Sequence, residues 1–334
     1  MNKSFTIGWP GPVTSKKYGS IAYEEPLRKF LSEKFDLDFI NAEGRHFNNK
    51  YLKALEFLFN LFKIKGKKDL WIRDFYSTVM MFPSKTKGKN LVVVHHLDFS
   101  GFNFAPRIVL SLCTRFFFYQ NLKKADAIVV VSEFWKNHLL KREYKNVYKI
   151  YNSFNLSDFN IFDEEVLDFK KKHDLLGKPI IYLGNCQRAK GVVESFNALK
   201  DLNVHLVTSG ERKVDLPTLN LNLAYRDYLK LLKASSIVIA MSKFEEGWCR
   251  TAHEAMLLKI PVIGSGLGGM RELLEGGNQI ICEDFKNLKE KVEYLLKNPE
   301  ERKKMGEQGY DYAKDFTNER FVGNWVEILP KVLS

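Results

Sequence analysis

Short, nearly continuous apolar runs alternate with helix-patterned stretches, and the alternation happens twice. The first series is FTIGW, DLDFI, LWIRD, NLVVVHH, AIVVVSE and VYKIYN, with helical patterns at about 20–33, 50–63, 107–124 and 133–141. A strand that is apolar at almost every position has both faces buried. Between helices, that means a parallel sheet covered on both sides. The pattern stops at NSFNLSDFNIFDEE, Asn152 to Glu165, which is polar, acidic and aperiodic and reads as a linker. It restarts with PIIYLG, VHLVTSG, SIVIAMS, PVIGS and QIIC, and after Asp284 only helical patterns follow, at about 285–297, 299–314 and 317–331. The expectation is two doubly wound α/β domains in tandem. Ligands of such sheets bind at the carboxyl ends of the strands, so two facing carboxyl edges would form a cleft for a substrate.

Charge narrows the partners. Residues 1–150 hold 26 Lys and Arg against 13 Asp and Glu, a net +13, whereas the rest of the chain holds 26 against 27. A field this lopsided attracts nucleic acid, an acidic membrane surface or phosphorylated substrates. No RNA-recognition, KH or zinc signature accompanies it, so nucleic acid is not expected. Cys113, Cys186, Cys249 and Cys282 stand apart, which indicates neither a zinc site nor a disulfide framework and fits a reducing cytosol. The start MNKSFTIGWPGP lacks the apolar core of a signal peptide, and no run of about 18 apolar residues is present. A cytoplasmic chain is expected, with the basic half able to sit peripherally on the inner membrane face.

One stretch carries a choice. PVIGSGLGGMREL contains G-x-G-x-x-G at Gly264, Gly266 and Gly269, with an acidic pair, Glu283 and Asp284, further on. That is the spacing of a dinucleotide fingerprint. A fingerprint opens its βαβ half and needs several strands after it. Here one strand and then helices follow, so these glycines are expected to make a tight turn that brings backbone close to a ligand or a neighbouring loop. The preceding run, MSKFEEGWCRTAHEAM, is more informative. A strand ends near Met241, Glu246 lies in the loop, a helix starts near Cys249 or Arg250, and Glu254 lies about 6–7 Å along it. A helix N-terminus offers free N–H groups to a diphosphate. Carboxylates on either side of that anion site suit a ligand with hydroxyls at both ends, a nucleotide-sugar.

This stretch resembles the donor-binding signature of the retaining GT-B glycosyltransferases, glycosyltransferase family 4 in particular. Glu246, Glu254, Ala255, Met256, Pro261, Val262, Ile263, Gly268, Gly269 and Glu272 match its E-x7-E, A-M, P-V-I and G-G-x-x-E features. The resemblance implies two tandem Rossmann-like domains with a deep interdomain cleft and C-terminal helices. It divides the chain into an acceptor-side domain at 1–152, a donor domain at 153–316, and a helix at 317–334 that packs back on the first. It implies that Glu254 binds ribose hydroxyls and that Glu246, with Gly247 and Trp248, meets the donor sugar. IIYLGNCQRAKGVVESFNAL resembles the family's G-R-x(4)-K-G segment, which gives Lys190 the diphosphate. The usual arginine is Asn185 here, and Arg188 is the candidate for the second charge. A family histidine at the strand end of LVVVHHLDF contacts the donor sugar; His95 or His96 fills that place, since two histidines and Asp98 leave the register ambiguous. Gly11, in GWPGPVTSKKYGS, is the candidate for the acceptor-side loop. KKADAIVVVSEFWK matches a further segment, in which Asp126 and Ser132 are expected to be structural, and Ser153 and Asn155 depart from the family's N-G-x-D crossing.

The implied activity moves a hexose-type sugar from a nucleotide-diphosphate sugar to a hydroxyl of a glycan or lipid-linked acceptor. Configuration is retained, and neither metal nor cofactor is used. The leaving diphosphate needs fixed cations and N–H dipoles. Two other readings stay open: a nucleotide-sugar epimerase of the same fold, and a catalytically silent sugar-nucleotide-binding partner. DLD at Asp36–Asp38 lies in a strand-like run and is read as surface. The Lys50–Lys68 and Arg107–Lys124 stretches combine apolar faces with basic residues, as core-facing helices or as membrane-surface helices.

Overall fold

The computed structural model describes residues 5–12, 19–81, 85–100 and 104–333. Two six-stranded sheets form, with every pairing parallel. The first comprises β1 (Thr6–Gly11), β2 (Asp36–Asn41), β3 (Lys65–Arg73), β4 (Lys85–Val94), β5 (Ala127–Val130) and β6 (Val147–Lys149), in the order β2-β1-β3-β4-β5-β6. The second comprises β7 (Ile180–Asn185), β8 (His205–Ser209), β9 (Leu219–Leu221), β10 (Ile237–Ala240), β11 (Val262–Gly264) and β12 (Ile280–Ile281), in the order β12-β11-β10-β7-β8-β9. Each is a doubly wound α/β sheet, so the fold is two Rossmann-like domains.

The chain divides into two compact units. One takes the chain up to Leu97, Phe104–Ser153 and the chain from Asn318 on; the other takes the short insertion from Asp98 and Phe154–Thr317. The central strands are apolar on both faces. In the first unit Val92, Val94, Ile128 and Val130 pack with Phe118, Leu122 and Trp135. In the second, Ile181, Leu183, Ile237, Ile239 and Ile263 pack with Val192, Leu288 and Val292. Each fully buried side chain of this kind contributes about 1.5–3 kcal/mol. The helix Asn318–Leu333 buries Phe321, Trp325, Ile328, Leu329 and Val332, one stripe at helical spacing, and Phe321 meets Tyr23 edge-on at 5.0 Å.

Four features depart from the sequence expectation. β9 has three residues, lies at a sheet edge and exposes Leu219, so it leaves almost no pattern to read. β3 and β4 begin earlier than their apolar cores. Their lysine-rich first halves pair Lys65 with Lys85 and Lys67 with Lys87, beyond a register shift between Lys67 and Leu70. The stretch expected as one helix at 107–124 runs as an α-helix (Phe104–Cys113), a π turn (Thr114–Phe118) and a last α turn (Tyr119–Leu122). The Asn152–Glu165 stretch, read as an aperiodic linker, does hold the change of unit between Ser153 and Phe154, but it is ordered by a 3-10 turn (Leu156–Phe159) and the start of a helix (Asp163–Lys172), with Asn152, Ser153 and Phe154 buried.

Candidate functional site

The second sheet reverses its winding at β7. The chain steps outward through β8 and β9, then returns to lay β10 on the other side of β7. The loops leaving the carboxyl ends of β7 and β10 diverge here, which is where a doubly wound sheet binds its ligand. Both loops carry residues singled out from the sequence. After β7 the chain makes one 3-10 turn, Arg188–Lys190, closed by Gly191 at φ 69°. A Cβ on Gly191 would lie 2.1 Å from the Met241 carbonyl oxygen, so only glycine lets this turn sit on the end of β10. The Lys243 amide donates to the Ala189 carbonyl at 2.9 Å, which ties the loops together.

Glu246 is the side chain on which they converge. Its Oε1 accepts from Lys190 Nζ at 2.6 Å and from Ser242 Oγ at 2.5 Å, and the residue is buried. Burial pulls the Lys190 pKa down, but the Glu246 carboxylate more than compensates, and the net shift is upward. Lys190 therefore carries its charge throughout the working pH range. Its Nζ also lies 4.8 Å from the Phe244 ring centre. Asp98, from the short insertion, accepts from the Glu245 amide at 2.8 Å.

The glycine turn after β11 supports this loop. Gly266 and Gly268 have φ of 68° and 66°, and a Cβ on Gly268 would fall 2.4 Å from the Glu246 carbonyl oxygen. That oxygen accepts from the Gly269 amide at 2.8 Å, and the Glu246 amide donates to the Leu267 carbonyl at 3.3 Å. The G-x-G-x-x-G spacing thus provides a bed for the Glu246 backbone. It follows β11, not the β7 strand at which the winding reverses.

The helix Arg250–Leu257 starts behind Cys249, with no side-chain cap on its first amides. Glu254, one turn inside, is buried and accepts from Tyr225 OH at 3.3 Å and Tyr228 OH at 3.1 Å, with the Arg250 guanidinium 3.6 Å away. Burial raises its pKa, against the opposing pull of Arg250. Cys249 is buried beside it, and burial together with the Glu246 charge pushes its thiol up to about 12. Gly247 is buried as well. The Trp248 indole turns inward and donates to His253 Nδ1 at 3.1 Å, so what Trp248 can offer a ligand is backbone. His253 Nε2 donates to the Ala313 carbonyl at 3.1 Å, and its ring stacks on Phe154 at 4.1 Å. Burial holds its pKa down at about 3, so it is neutral. Ser242, Tyr225, Tyr228 and His253 are the site residues the sequence did not disclose. Only the tyrosines, three apart on a strongly amphipathic helix, left a readable signal.

The other sequence candidates lie as follows. Arg188 is exposed on the turn beside Lys190. Asn185, which replaces the expected arginine, accepts from Ser209 Oγ at 3.1 Å. In the first unit, His95 and His96 follow the carboxyl end of β4. The His95 Nε2 is buried without a hydrogen-bond partner among the described residues, its ring meets Tyr23 edge-on at 5.1 Å, and burial holds its pKa down at about 3. Gly11 ends β1 and is buried; the loop from residue 13 lies outside the described residues. The Asp126 carboxylate accepts from the Asn90 amide and Ser132 caps the helix Glu133–Leu140. Asp36 and Asp38 are exposed, the latter paired with Lys68 at 2.8 Å. Among the described residues no cluster of three or more His, Cys, Asp or Glu could hold a metal, and no helix is long and apolar enough to cross a membrane.

The Lys190–Glu246 pair thus lies where the winding of the second sheet reverses. Residues 163–312, which contain that pair, match the family described as glycosyl transferases group 1. The chain is 26% identical over 294 residues to an uncharacterized glycosyltransferase, MJ1178, of Methanocaldococcus jannaschii, with 82% of this chain and 80% of the relative covered. These matches make it a transferase enzyme with a group 1 glycosyltransferase domain. Its fold is that of a sucrose-phosphate synthase from Thermosynechococcus elongatus, with TM-score 0.78, 15% identity, and 98% and 99% of the two chains covered. It is also that of Anabaena Alr3699/HepE in complex with UDP-glucose, with TM-score 0.73, 14% identity, and 98% and 100% covered.

Proposed function

We propose that the chain is a retaining glycosyltransferase that moves a hexose-type sugar from a nucleoside-diphosphate sugar to a hydroxyl of a glycan or lipid-linked acceptor. The observation that carries this reading is the convergence of Lys190, Glu246 and the start of the Arg250–Leu257 helix at the reversal of the second sheet. The diphosphate lies against the first amides of that helix and Lys190, with Arg188 as a second, exposed cation. Glu254, held by Tyr225 and Tyr228, meets the ribose hydroxyls, and Glu246 meets the donor sugar. In the transfer the acceptor oxygen bonds to the anomeric carbon as the bond from that carbon to the diphosphate oxygen breaks. The acceptor proton passes to the departing oxygen on the same face, and Lys190 stabilises the charge that develops there. This assigns the charge stabilisation to the chain's own groups, without a divalent metal. The UDP-glucose held by the Anabaena neighbour supports this donor class. Four free cysteines suit a cytoplasmic location.

Thermal stabilisation by UDP, GDP, ADP and NAD tests the reading. One nucleoside diphosphate should stabilise by about 2.7 kcal/mol at a hundredfold excess over Kd. Glu254→Ala should abolish the effect. Stabilisation by NAD alone would refute the donor assignment. With the donor known, the anomeric configuration of the product, read by NMR, tests retention.

A further inference from the structure

The helix Lys50–Lys63 buries Leu61 and turns Tyr51, Leu52, Leu55, Phe59 and Phe62 to solvent on its opposite side, with Tyr51, Leu55 and Phe59 each more than half exposed. The stretch from Phe104 to Phe118 does the same. Ile108, Val109, Leu112, Phe116 and Phe117 are exposed, and the π turn keeps Thr114 and Phe118 inward. The two strips are joined through the short helix Phe75–Val79. Phe57 meets Tyr76 at 5.8 Å, Phe75 stacks on Phe118 at 5.0 Å, and Tyr76 is itself exposed between them. An exposed apolar area built from aromatic and branched side chains on neighbouring helices marks an interaction surface.

The charge around it identifies the partner. From Arg45 to Lys124 there are fifteen Lys and Arg against four Asp and Glu, a net +11 out of +12 for the whole chain. The first helix runs directly into the paired lysine ribbon of β3 and β4, where Lys65, Lys67, Lys85 and Lys87 are exposed. Lys63 lies 4.2 Å over the Phe59 ring, and Arg115 lies 5.8 Å from Phe116. Joining two copies face to face would bring Lys63, Arg115 and the neighbouring exposed lysines against their like, which disfavours self-association. Apolar side chains ringed by cations fit an anionic lipid surface, the side chains entering the acyl boundary and the lysines reaching the headgroups.

We infer that this face of the first unit docks on an anionic bilayer. The inference does not depend on the donor assignment, although it would bring the enzyme to lipid-linked acceptors. Co-sedimentation of the full chain with vesicles tests it, using phosphatidylcholine with about one third phosphatidylglycerol and phosphatidylcholine alone. Binding to the anionic vesicles should be at least about tenfold tighter and should weaken with salt. Leu55→Asp and Phe116→Asp should each weaken it about tenfold or more, with unchanged unfolding midpoints because both positions are exposed. Absence of binding, or equal binding to both vesicles, would overturn the inference. So would light-scattering self-association that Leu55→Asp abolishes. Nucleoside-diphosphate stabilisation of the Leu55→Asp chain, measured alongside, reports on the donor reading separately.

Discussion

The two sheets match in strand number and in their all-parallel sense, yet they spend their charged and apolar groups in opposite ways. In the second unit charge is drawn inward: Lys190 pairs with the buried Glu246, and Arg250 with the buried Glu254, where the winding reverses. In the first unit a run of lysines, Lys65, Lys67, Lys85 and Lys87, is exposed, next to apolar side chains that are exposed among the described residues. The shared architecture fixes where loops and helices stand. What those loops and helices carry sets the chemistry.

Substitutions can break this contrast from either side. The largest effect is expected from Lys190→Ala, which in the proposed transfer removes the cation facing the developing charge and should lower kcat about 10²–10³-fold. Leu55→Asp should leave kcat with a water-soluble acceptor unchanged. A kcat loss equal to that of Lys190→Ala would mean the two units do not divide the work in this way. Gly268→Ala places a Cβ against the Glu246 carbonyl at a positive φ and should cost about 2–3 kcal/mol, seen as a lower midpoint and weakened nucleotide stabilisation.

Acid sensitivity sharpens the comparison, because each unit holds a histidine neutral, His253 buried in the second and His95 half-buried in the first. His253 and His95 are held at about 3, against an ordinary value near 6.5. Between those values the unfolded chain binds protons that the folded chain does not, so stability falls as pH drops below about 6.5. For His253 the slope is at most about 1.4 kcal/mol per pH unit. His253→Gln and His95→Gln should each flatten the loss between pH 7 and pH 5. A slope unchanged in both would assign acid sensitivity elsewhere. The smallest effect is expected from EDTA: transfer should continue at the same rate, and a loss restored by added divalent cation would show that a metal shares the charge with Lys190 and the helix amides.

Much of the fold was legible because a buried parallel strand has to be apolar throughout. Runs such as LVVV and IVIA announce themselves. β9 was not, since an edge strand of three residues needs no such run. The lysine-rich halves of β3 and β4 were not, because their pairing is held by backbone bonds that leave the side chains in water. Within the candidate site, Glu246 and Glu254 could be picked out by their spacing around a helix start, and Lys190 by the resemblance of its segment to a family pattern. Their partners could not. Ser242 and His253 act through contacts with Glu246, Trp248 and Ala313 that no local pattern encodes. The glycine spacing was visible, but not that Gly268 serves the Glu246 backbone.

The pairing of Lys190 with Glu246 also bears on how fast the enzyme can turn over. On the proposed donor reading, a lysine that already holds a carboxylate has to exchange it for a diphosphate, so part of the attraction for the anion is offset before the anion arrives. The spent nucleotide is then held less tightly than by a bare cation, and Glu246 stands ready to reclaim the lysine as it leaves. Product inhibition should accordingly be mild, and Glu246→Gln should deepen it: the free nucleoside diphosphate would bind more tightly while the intact sugar donor binds less well.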